Sequence, residues 1–599
     1  MNKDIEEYKK FKKRVFNLGF GKAFLTSLLI GKLYHLQILN NLKFGKLSET
    51  NRVKIKLVYP QRGIIFDKRG NEIASNRIDY QISFLKEKKS KLDVNIKKLK
   101  EIISISDNDL VQLKKSLKRN KLGDFVIVKK NLNWNQLETF EYFSYMFPYF
   151  DITKEKVRSY KNNYAFSHVI GYVGFSNTKK KKRKALDLKV GRTGIEKVYN
   201  TSLLGKEGWQ KVESNSTGRI VRKLDNLDSI PGENLRTNII SEIQEYSYEI
   251  IKEKSGSIVL IDCITGGILS MISTPSFDIN EFSYGVTNET WKKLQADKRN
   301  PLLNKSISGL YSPGSTFKLI VSLYVLQNSK FRASQKIYCS GAIELGNHKF
   351  HCWKRKGHGY VDLNIAIKES CDCYFYTLAN EIDINLLAKF SNEFGIGTPT
   401  MIDLPNELQG LMPNKEWKRK NKNDSWHLGE TYNAVIGQGF TLSTPLQIAV
   451  MTARIASGKK VFPQIQFKKE LYAKGFQDLN INLESLDFIR KSMFNVVNQY
   501  KGTAFSSKLK SKNYKMAGKT GTSQVRRISL SERESGVLEN KELPYQLRDH
   551  SIFTGYAPFD NPRLAICAVM EHEGSGSKVA APISRDILDF SLNFVYENE

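Results

Sequence analysis

The sequence predicts an α+β multidomain chain: an N-terminal transmembrane helix, a non-catalytic α+β pedestal domain and a larger C-terminal α/β domain. Three observations predict it. The chain has 599 residues, too many for one ordinary core, so two or three domains are expected. Residues 16–39 are mostly apolar and close to the length a membrane-spanning helix needs. A turn-rich segment at Pro231-Gly232-Glu233-Asn234 divides a region without compact catalytic residue types from one that carries them in order.

The N-terminal element is interrupted by Lys22, Lys32 and His35, which leaves an interfacial amphipathic helix as the competing reading. Lys9, Lys10, Lys12, Lys13 and Arg14 precede it and form the positive flank expected on the cytoplasmic side. The expected order is a cytoplasmic tail at 1–15, an uncleaved anchor at 16–39, and everything beyond it outside the cytoplasm, since no small-residue cleavage site follows. A formal charge of +33 would by itself favour an anionic partner. The lysines are spread through the whole chain together with many Asn and Ile, so nucleic acid is not the expected partner. The densest basic cluster, Lys179 to Lys184, follows Ser176-Asn177-Thr178 and reads as a solvated loop.

The pedestal is expected over 40–233. Within it, Leu57-Val58-Tyr59-Pro60 and Arg62-Gly63-Ile64-Ile65-Phe66-Asp67 read as strand, turn, strand, with Gly70-Asn71 supplying turn chemistry. A second glycine-bearing block, Gly191-Arg192-Thr193-Gly194-Ile195-Glu196, precedes a helical stretch. The second domain, 234–599, is expected to open with a helix at 239–254 and a buried strand at 256–261.

Ser315-Thr316-Phe317-Lys318 follows Pro313-Gly314 and opens an apolar helical stretch, 319–326, so Ser315 and Lys318 are expected on one face of its first turn. A serine hydroxyl attacks once a neighbouring base takes its proton. A lysine can be that base when burial and nearby positive charge lower its pKa. The spacing alone says little, because it recurs at Ser176/Lys179, Ser507/Lys510 and Ser575/Lys578. Ser315 is distinguished by its Pro-Gly lead and by two later motifs. Ser370-Cys371-Asp372, after a helical 363–368, offers a hydroxyl to relay a proton. Lys519-Thr520-Gly521-Thr522 is strand-like, with Gly521 leaving room for a substrate backbone and its neighbours able to hold a carboxylate. The ordered trio resembles the S-x-x-K, S-D-N, K-T-G signature of penicillin-binding proteins and class A β-lactamases, with Ser370-Cys371-Asp372 in the middle place.

From about Asn51 onward the chain resembles the class B penicillin-binding proteins. Tyr59-Pro60-Gln61-Arg62-Gly63-Ile64-Ile65-Phe66-Asp67 and Gly194-Ile195-Glu196 are similar to the family's pedestal motifs, and Tyr311 to Lys318 to its nucleophile block. Ile436-Gly437-Gln438-Gly439 and the run from His550 to Pro558 are similar to further family segments in the same order. Asp372, in place of the usual Asn, and the block from Cys352 to Gly359 resemble the elongation-type subgroup. The resemblance implies a β-lactamase-like serine transpeptidase domain with an antiparallel sheet flanked by helices. The implied activity is D,D-transpeptidation of peptidoglycan stem peptides ending in D-Ala-D-Ala, during elongation and rod-shape maintenance, through an acyl-enzyme open to β-lactams. It further implies Ser315 as nucleophile, Lys318 as base, Ser370 and Asp372 beside them, and backbone N–H groups of Ser315 and Thr522 as the oxyanion hole. Lys519, Thr520, Gly521 and Thr522 would bind the terminal carboxylate. Implied partners are the inner membrane, a RodA-type glycan polymerase and the MreC scaffold. A D,D-carboxypeptidase or β-lactamase-type hydrolase shares the Ser/Lys chemistry and is the alternative, and a penicillin-sensing receptor would need a cytoplasmic region larger than the tail provides.

Six cysteines are present. Cys339, Cys352, His358 and Cys371 could close a tetrahedral Cys3His zinc site, while a Cys339–Cys352 disulfide competes in an oxidising compartment. By resemblance, elongation-type relatives carry a metal near this block, with aspartates at two positions. His351 is the substitute ligand. Cys263, Cys373 and Cys567 are expected as buried thiols, and His550 as a structural hydrogen-bonding residue.

Overall fold

The computed structural model describes residues 2–40, 52–86, 92–120, 125–175, 189–214, 220–469, 475–526, 528, 532 and 537–596. The basic run at 179–184 lies outside the described residues. The chain forms two compact units: Met1–Gln61, Ile78–Glu155 and Gly205–Pro231 make one, and Arg62–Arg77, Lys156–Leu204 and Gly232–Glu599 make the other.

In the first unit an exposed helix, Asn2–Tyr34, continues into a π-helical turn, His35–Leu39. The basic flank expected as a separate tail is therefore helical. Among the described residues no helix is long and apolar enough to cross a membrane. A three-stranded sheet pairs Val53–Val58 with Gly208–Ser214 and that strand with Ile220–Leu227. The unit's core is Ile82, Phe84, Leu99, Val126, Val128, Phe140 and Phe147, gathered where residues 82–85 pair with the strand Phe125–Lys129. Helix Asp107–Arg119 begins where Ser106 and Asp109 cap each other reciprocally, which satisfies donors the first turn would otherwise leave open.

The second unit is built on a five-stranded antiparallel sheet in the order Ile268–Thr274, Gly256–Asp262, Leu564–Met570, His550–Ala557, Ala517–Ser523. All seven residues of Gly256–Asp262 and of Leu564–Met570 are buried, as expected when both faces of a sheet are covered. Helices Ser241–Ile251 and Ala580–Tyr596 pack on each other and on the sheet. Helices Pro445–Ser457 and Leu483–Asn498 form a second packed set. The expected opening helix and strand are observed as Ser241–Ile251 and Gly256–Asp262.

One local expectation is corrected. Ser315 does not sit on the first turn of the apolar helix: Gly314–Thr316 is a separate 3-10 turn, and the α-helix runs Lys318–Asn328. Gly314 adopts φ +55°, and a Cβ there would lie 2.7 Å from the Thr522 carbonyl oxygen. The tight approach of strand to turn, which glycine permits, breaks the α-geometry before Lys318.

Candidate active site

The turn carrying Ser315 is fastened by backbone hydrogen bonds. Tyr311 N–H donates to Ser443 O (3.0 Å), Ser443 N–H to Tyr311 O (2.8 Å), and Gly314 N–H to Gly437 O (2.9 Å). Gly437, at φ +68°, has no room for a side chain, because a Cβ would come 2.2 Å from Gly314 O. On the other side Gly521 faces the turn, where a Cβ would meet Pro313 O at 3.0 Å and Thr316 Cγ2 at 3.1 Å. Gln438 Nε2 donates to Thr522 O (2.9 Å), so the block at 436–439 joins the Ser315 turn to the strand Ala517–Ser523, the last in the sheet order. The sequence motifs thus meet.

Lys318 is fully buried at the start of its helix. Its ammonium donates to Asp372 Oδ1 (2.7 Å) and Ser370 O (3.0 Å) and lies 3.4 Å from Ser370 Oγ. Lys519 Nζ, equally buried, is 2.9 Å from the same Ser370 Oγ and 3.1 Å from Thr520 O. One hydroxyl therefore stands between two buried amines. Burial, and then the charge of Lys318, pull Lys519 well below its ordinary value, with Asp372 opposing. Ser370 holds φ +58°, a left-handed conformation uncommon for serine and typical of over-determined functional positions. Cys371 is extended and caps the helix Asp372–Leu378, so the reversal in chain direction aims Ser370 and Asp372 at the lysine. Thr520 Oγ1 is 2.7 Å from Thr503 Oγ1.

Asp372 has a second tie that the sequence did not disclose. Its Oδ2 accepts from Trp353 N–H (2.9 Å), and the Trp353 indole donates to Glu369 O and Ser370 O, both at 3.1 Å. The loop after Cys352 thus steadies the carboxylate that holds Lys318. The sequence signals for Trp353 were adjacency to the candidate ligand Cys352 and its place in the block from Cys352 to Gly359, and neither pointed to Asp372.

The four candidate ligand groups converge: one donor atom each from Cys339, Cys352, His358 and Cys371 lie within 4.8 Å of one another. His358 Nδ1 is 3.6 Å from the sulfurs of both Cys339 and Cys352, and Asp372 N–H points at Cys352 Sγ from 3.4 Å. All six cysteines are free thiols, so the Cys339–Cys352 disulfide is not formed. Hydrogen bonds from Cys371 and Cys373 bias Cys352 toward thiolate. Burial lowers His358, but bonds to Cys352 and Cys339 outweigh it and raise the imidazole. Three thiols and an imidazole, buried and mutually close, fit a closed tetrahedral zinc site. Cys373, expected as a buried thiol, is fully buried, and the neighbouring Cys352 together with burial pushes it up. Cys263 and Cys567 are fully buried. His550 Nδ1 accepts from His572 N–H (3.0 Å), and burial pulls the imidazole down to about 4.

The pedestal motifs meet elsewhere in the same unit. Glu196, fully buried, accepts from Arg62 Nε (2.7 Å) and Arg158 Nε (2.6 Å). Burial raises Glu196, and the two guanidinium charges outweigh it and hold the carboxyl below its ordinary value. Arg62 also donates to Glu196 O and Asn200 Oδ1, and Arg158 to Gly63 O. Sequence reasoning had no signal for Arg158.

Two family descriptions match this chain: the penicillin binding protein transpeptidase domain over residues 256–589 and the penicillin-binding protein dimerisation domain over 57–237. The peptidoglycan D,D-transpeptidase MrdA of Haemophilus influenzae is 33% identical over 603 residues, covering 97% of this chain and 92% of the relative. MrdA of Escherichia coli K12 is 31% identical, with 97% and 94% covered. Among solved structures, the complex of penicillin-binding protein PBP2 with MreC from Helicobacter pylori matches with TM-score 0.79 and 31% identity, covering 91% of this chain and 99% of that one. Pseudomonas aeruginosa PBP2 bound to WCK 5153 matches with TM-score 0.65 and 29% identity, covering 89% and 97%.

Proposed function

The chain belongs to the penicillin-binding protein transpeptidase family, and from its site we infer that Ser315 is the residue acylated by the stem peptide. The protein is a peptidoglycan D,D-transpeptidase, a serine acyltransferase of cell elongation. The observation that carries the residue roles is Ser370 Oγ standing between Lys318 Nζ and Lys519 Nζ behind the Ser315 turn. A proton removed from Ser315 by Lys318 can reach the leaving amine through that hydroxyl. Ser315 Oγ bonds to the penultimate D-alanine carbonyl, the terminal D-alanine departs as a protonated amine, and an acceptor amine then displaces Ser315. The negative oxygen of each tetrahedral intermediate is met by N–H groups of Ser315 and Thr522. A substrate carboxylate beside Lys519, Thr520 and Thr522, with Gly521 leaving room for the peptide, would restore the charge that burial takes from Lys519. Asp372 keeps Lys318 aimed. The hydrolase alternative shares these steps but sends the acyl group to water, and the transpeptidase relatives do not favour it.

The experiment is mass spectrometry with peptide mapping after exposure to a penicillin. The adduct is expected on Ser315, and an adduct on another serine would refute the assignment.

A structural zinc ion on Cys339, Cys352, His358 and Cys371 would tie the Trp353 loop to the segment carrying Ser370 and Asp372. Elemental analysis without chelator is expected to give close to one equivalent, and less than about half would count against it. Two further readings extend the family. The helix at 16–39 with its basic flank serves as a single-pass inner-membrane anchor, placing a pedestal at 40–233 and the transpeptidase domain at 234–599 in the periplasm. Full solubility without detergent would overturn it. MreC and a RodA-type polymerase are the proposed partners, the first because an H. pylori PBP2 was solved with MreC.

A further inference from the structure

A buried polar chain runs from the segment before Ser315 to the strand ends at Ser255, Thr274 and Glu571 and takes no part in the mechanism above. Tyr311, four residues before Ser315, is 5% exposed. Gly309 leaves room for its side chain, since a Cβ there would meet Tyr311 Cε2 at 2.6 Å and its hydroxyl oxygen at 2.7 Å, and His550 packs edge-on at 5.5 Å between centroids. The Tyr311 hydroxyl donates to Glu571 Oε1 (2.8 Å). Glu571 Oε2 accepts from Ser255 Oγ (2.5 Å) and lies 3.2 Å from Lys305 Nζ, while Glu571 N–H donates to Ser255 O (2.7 Å). Lys305, 1% exposed, spends its donors on Ser255 Oγ (2.8 Å), Thr274 O (2.6 Å) and Arg299 O (2.7 Å). Every link is satisfied. Glu571 follows the buried strand Leu564–Met570 and Thr274 ends the strand Ile268–Thr274, so the chain is rooted in the rigid sheet.

A buried ion pair gains little stability over an apolar pair of the same volume. Its distinguishing property is that it specifies one geometry. The backbone ties at Tyr311 and Gly314 hold the segment to the loops at 437 and 443, and among the described residues the Tyr311 side chain is what connects it to the sheet through a charged group. Resting on the transpeptidase reading above, we propose that Tyr311, Glu571 and Lys305 are positioning residues that register Ser315 against Lys318. A displacement of the turn by a fraction of an ångström lengthens the proton transfer from Ser315 while the carboxylate subsite on the strand Ala517–Ser523 stays put. The effect therefore falls on the acylation step and not on β-lactam affinity.

The test is time-resolved acylation of the full-length protein by a fluorescent penicillin, normalised to the active fraction found by titration. Tyr311→Phe keeps the ring and removes one hydroxyl. Its acylation rate constant is expected to fall on the order of tenfold, with the dissociation constant of the initial complex within about twofold of wild type. Glu571→Gln should give a similar fall, and the double variant no further one, because both break the same link. A Tyr311→Phe rate constant within twofold of wild type would overturn the proposal, including where its melting temperature has dropped, since that is what a purely structural tie would produce. A wild type that is not acylated at all would instead overturn the transpeptidase reading, and this proposal with it.

Discussion

Two buried charge clusters in the larger unit are built from the same materials and do opposite things. Around Glu196, two guanidinium groups enclose one carboxylate and spend further donors on Glu196 O, Asn200 Oδ1 and Gly63 O. Around Ser370, two lysine amines share one hydroxyl, and the one carboxylate, Asp372, contacts Lys318 of the two. In the first, attraction outweighs burial and the ionised form is secure. In the second, burial wins at Lys519, which is pulled well below its ordinary value. Arginine cannot give up its proton and presents a rigid fork. Lysine can, and it offers a point charge that burial easily shifts. The difference teaches that buried charge holds a fold together where one carboxylate is matched by direct bonds to both cations, and is available for chemistry where one cation lacks such a bond and substrate can bring it.

The contrast breaks most sharply at Lys318. On the proposed roles, Lys318→Ala should lower β-lactam acylation by at least on the order of a thousandfold with the fold retained, because it removes the proposed base while Glu196 and its partners are untouched. Unchanged acylation kinetics, with circular dichroism as the control for folding, would refute it. Glu196→Gln should do the reverse. It leaves two buried guanidinium groups short of a charge and should cost about 3–5 kcal/mol in denaturant unfolding, with acylation per folded molecule unchanged. A loss below about 1 kcal/mol would mean the cluster is not matched in the way its geometry indicates.

Lys519→Met sharpens the comparison from the other side. Removing an under-compensated buried amine should raise stability by about 1–2 kcal/mol while acylation falls, the exchange expected when strain serves function. Lower stability would show that the bonds to Ser370 Oγ and Thr520 O outweigh desolvation.

The smallest effects are in pH dependence, and the two clusters have opposite windows. Glu196 is depressed, so its contribution is fully present above the ordinary carboxyl value of 4.5 and is lost as pH falls through the folded-state value. Lys519 is also depressed, but as a base. Its unfolded form binds more protons, so stability rises with pH from the lowered value up to the ordinary 10.5. Unfolding titrations of Glu196→Gln and Lys519→Met should each lose the slope in one window and keep it in the other.

Much of this was legible from the chain alone. Ser315, Lys318, Ser370, Asp372, Lys519 and Thr522 could be singled out as candidates because catalytic residue types recur in a fixed order between helical and strand-like runs. The four zinc candidates were found because thiols and imidazoles are rare enough to count. Cys373, read as a buried thiol from its apolar setting, is fully buried at the start of the helix Asp372–Leu378. Ser315 was placed on the α-helix because its spacing suits a first turn, whereas contact with Thr522, more than two hundred positions away, forces a tighter one. The division of the chain by contact is discontinuous, with Arg62–Arg77 and Lys156–Leu204 in the unit of the five-stranded sheet. A boundary read along the sequence near 234 is linear by nature.

By itself the sequence determined which chemical groups exist, their order, and the apolar runs that become fully buried strands, because composition and periodicity are local properties. Only the tertiary structure decided which charges face each other: Arg158 with Glu196, Trp353 with Asp372, and two lysines with one serine. These partners lie tens to hundreds of residues apart. Whether a buried amine stays charged depends on the dielectric and the neighbours around it, and neither exists until the chain has folded.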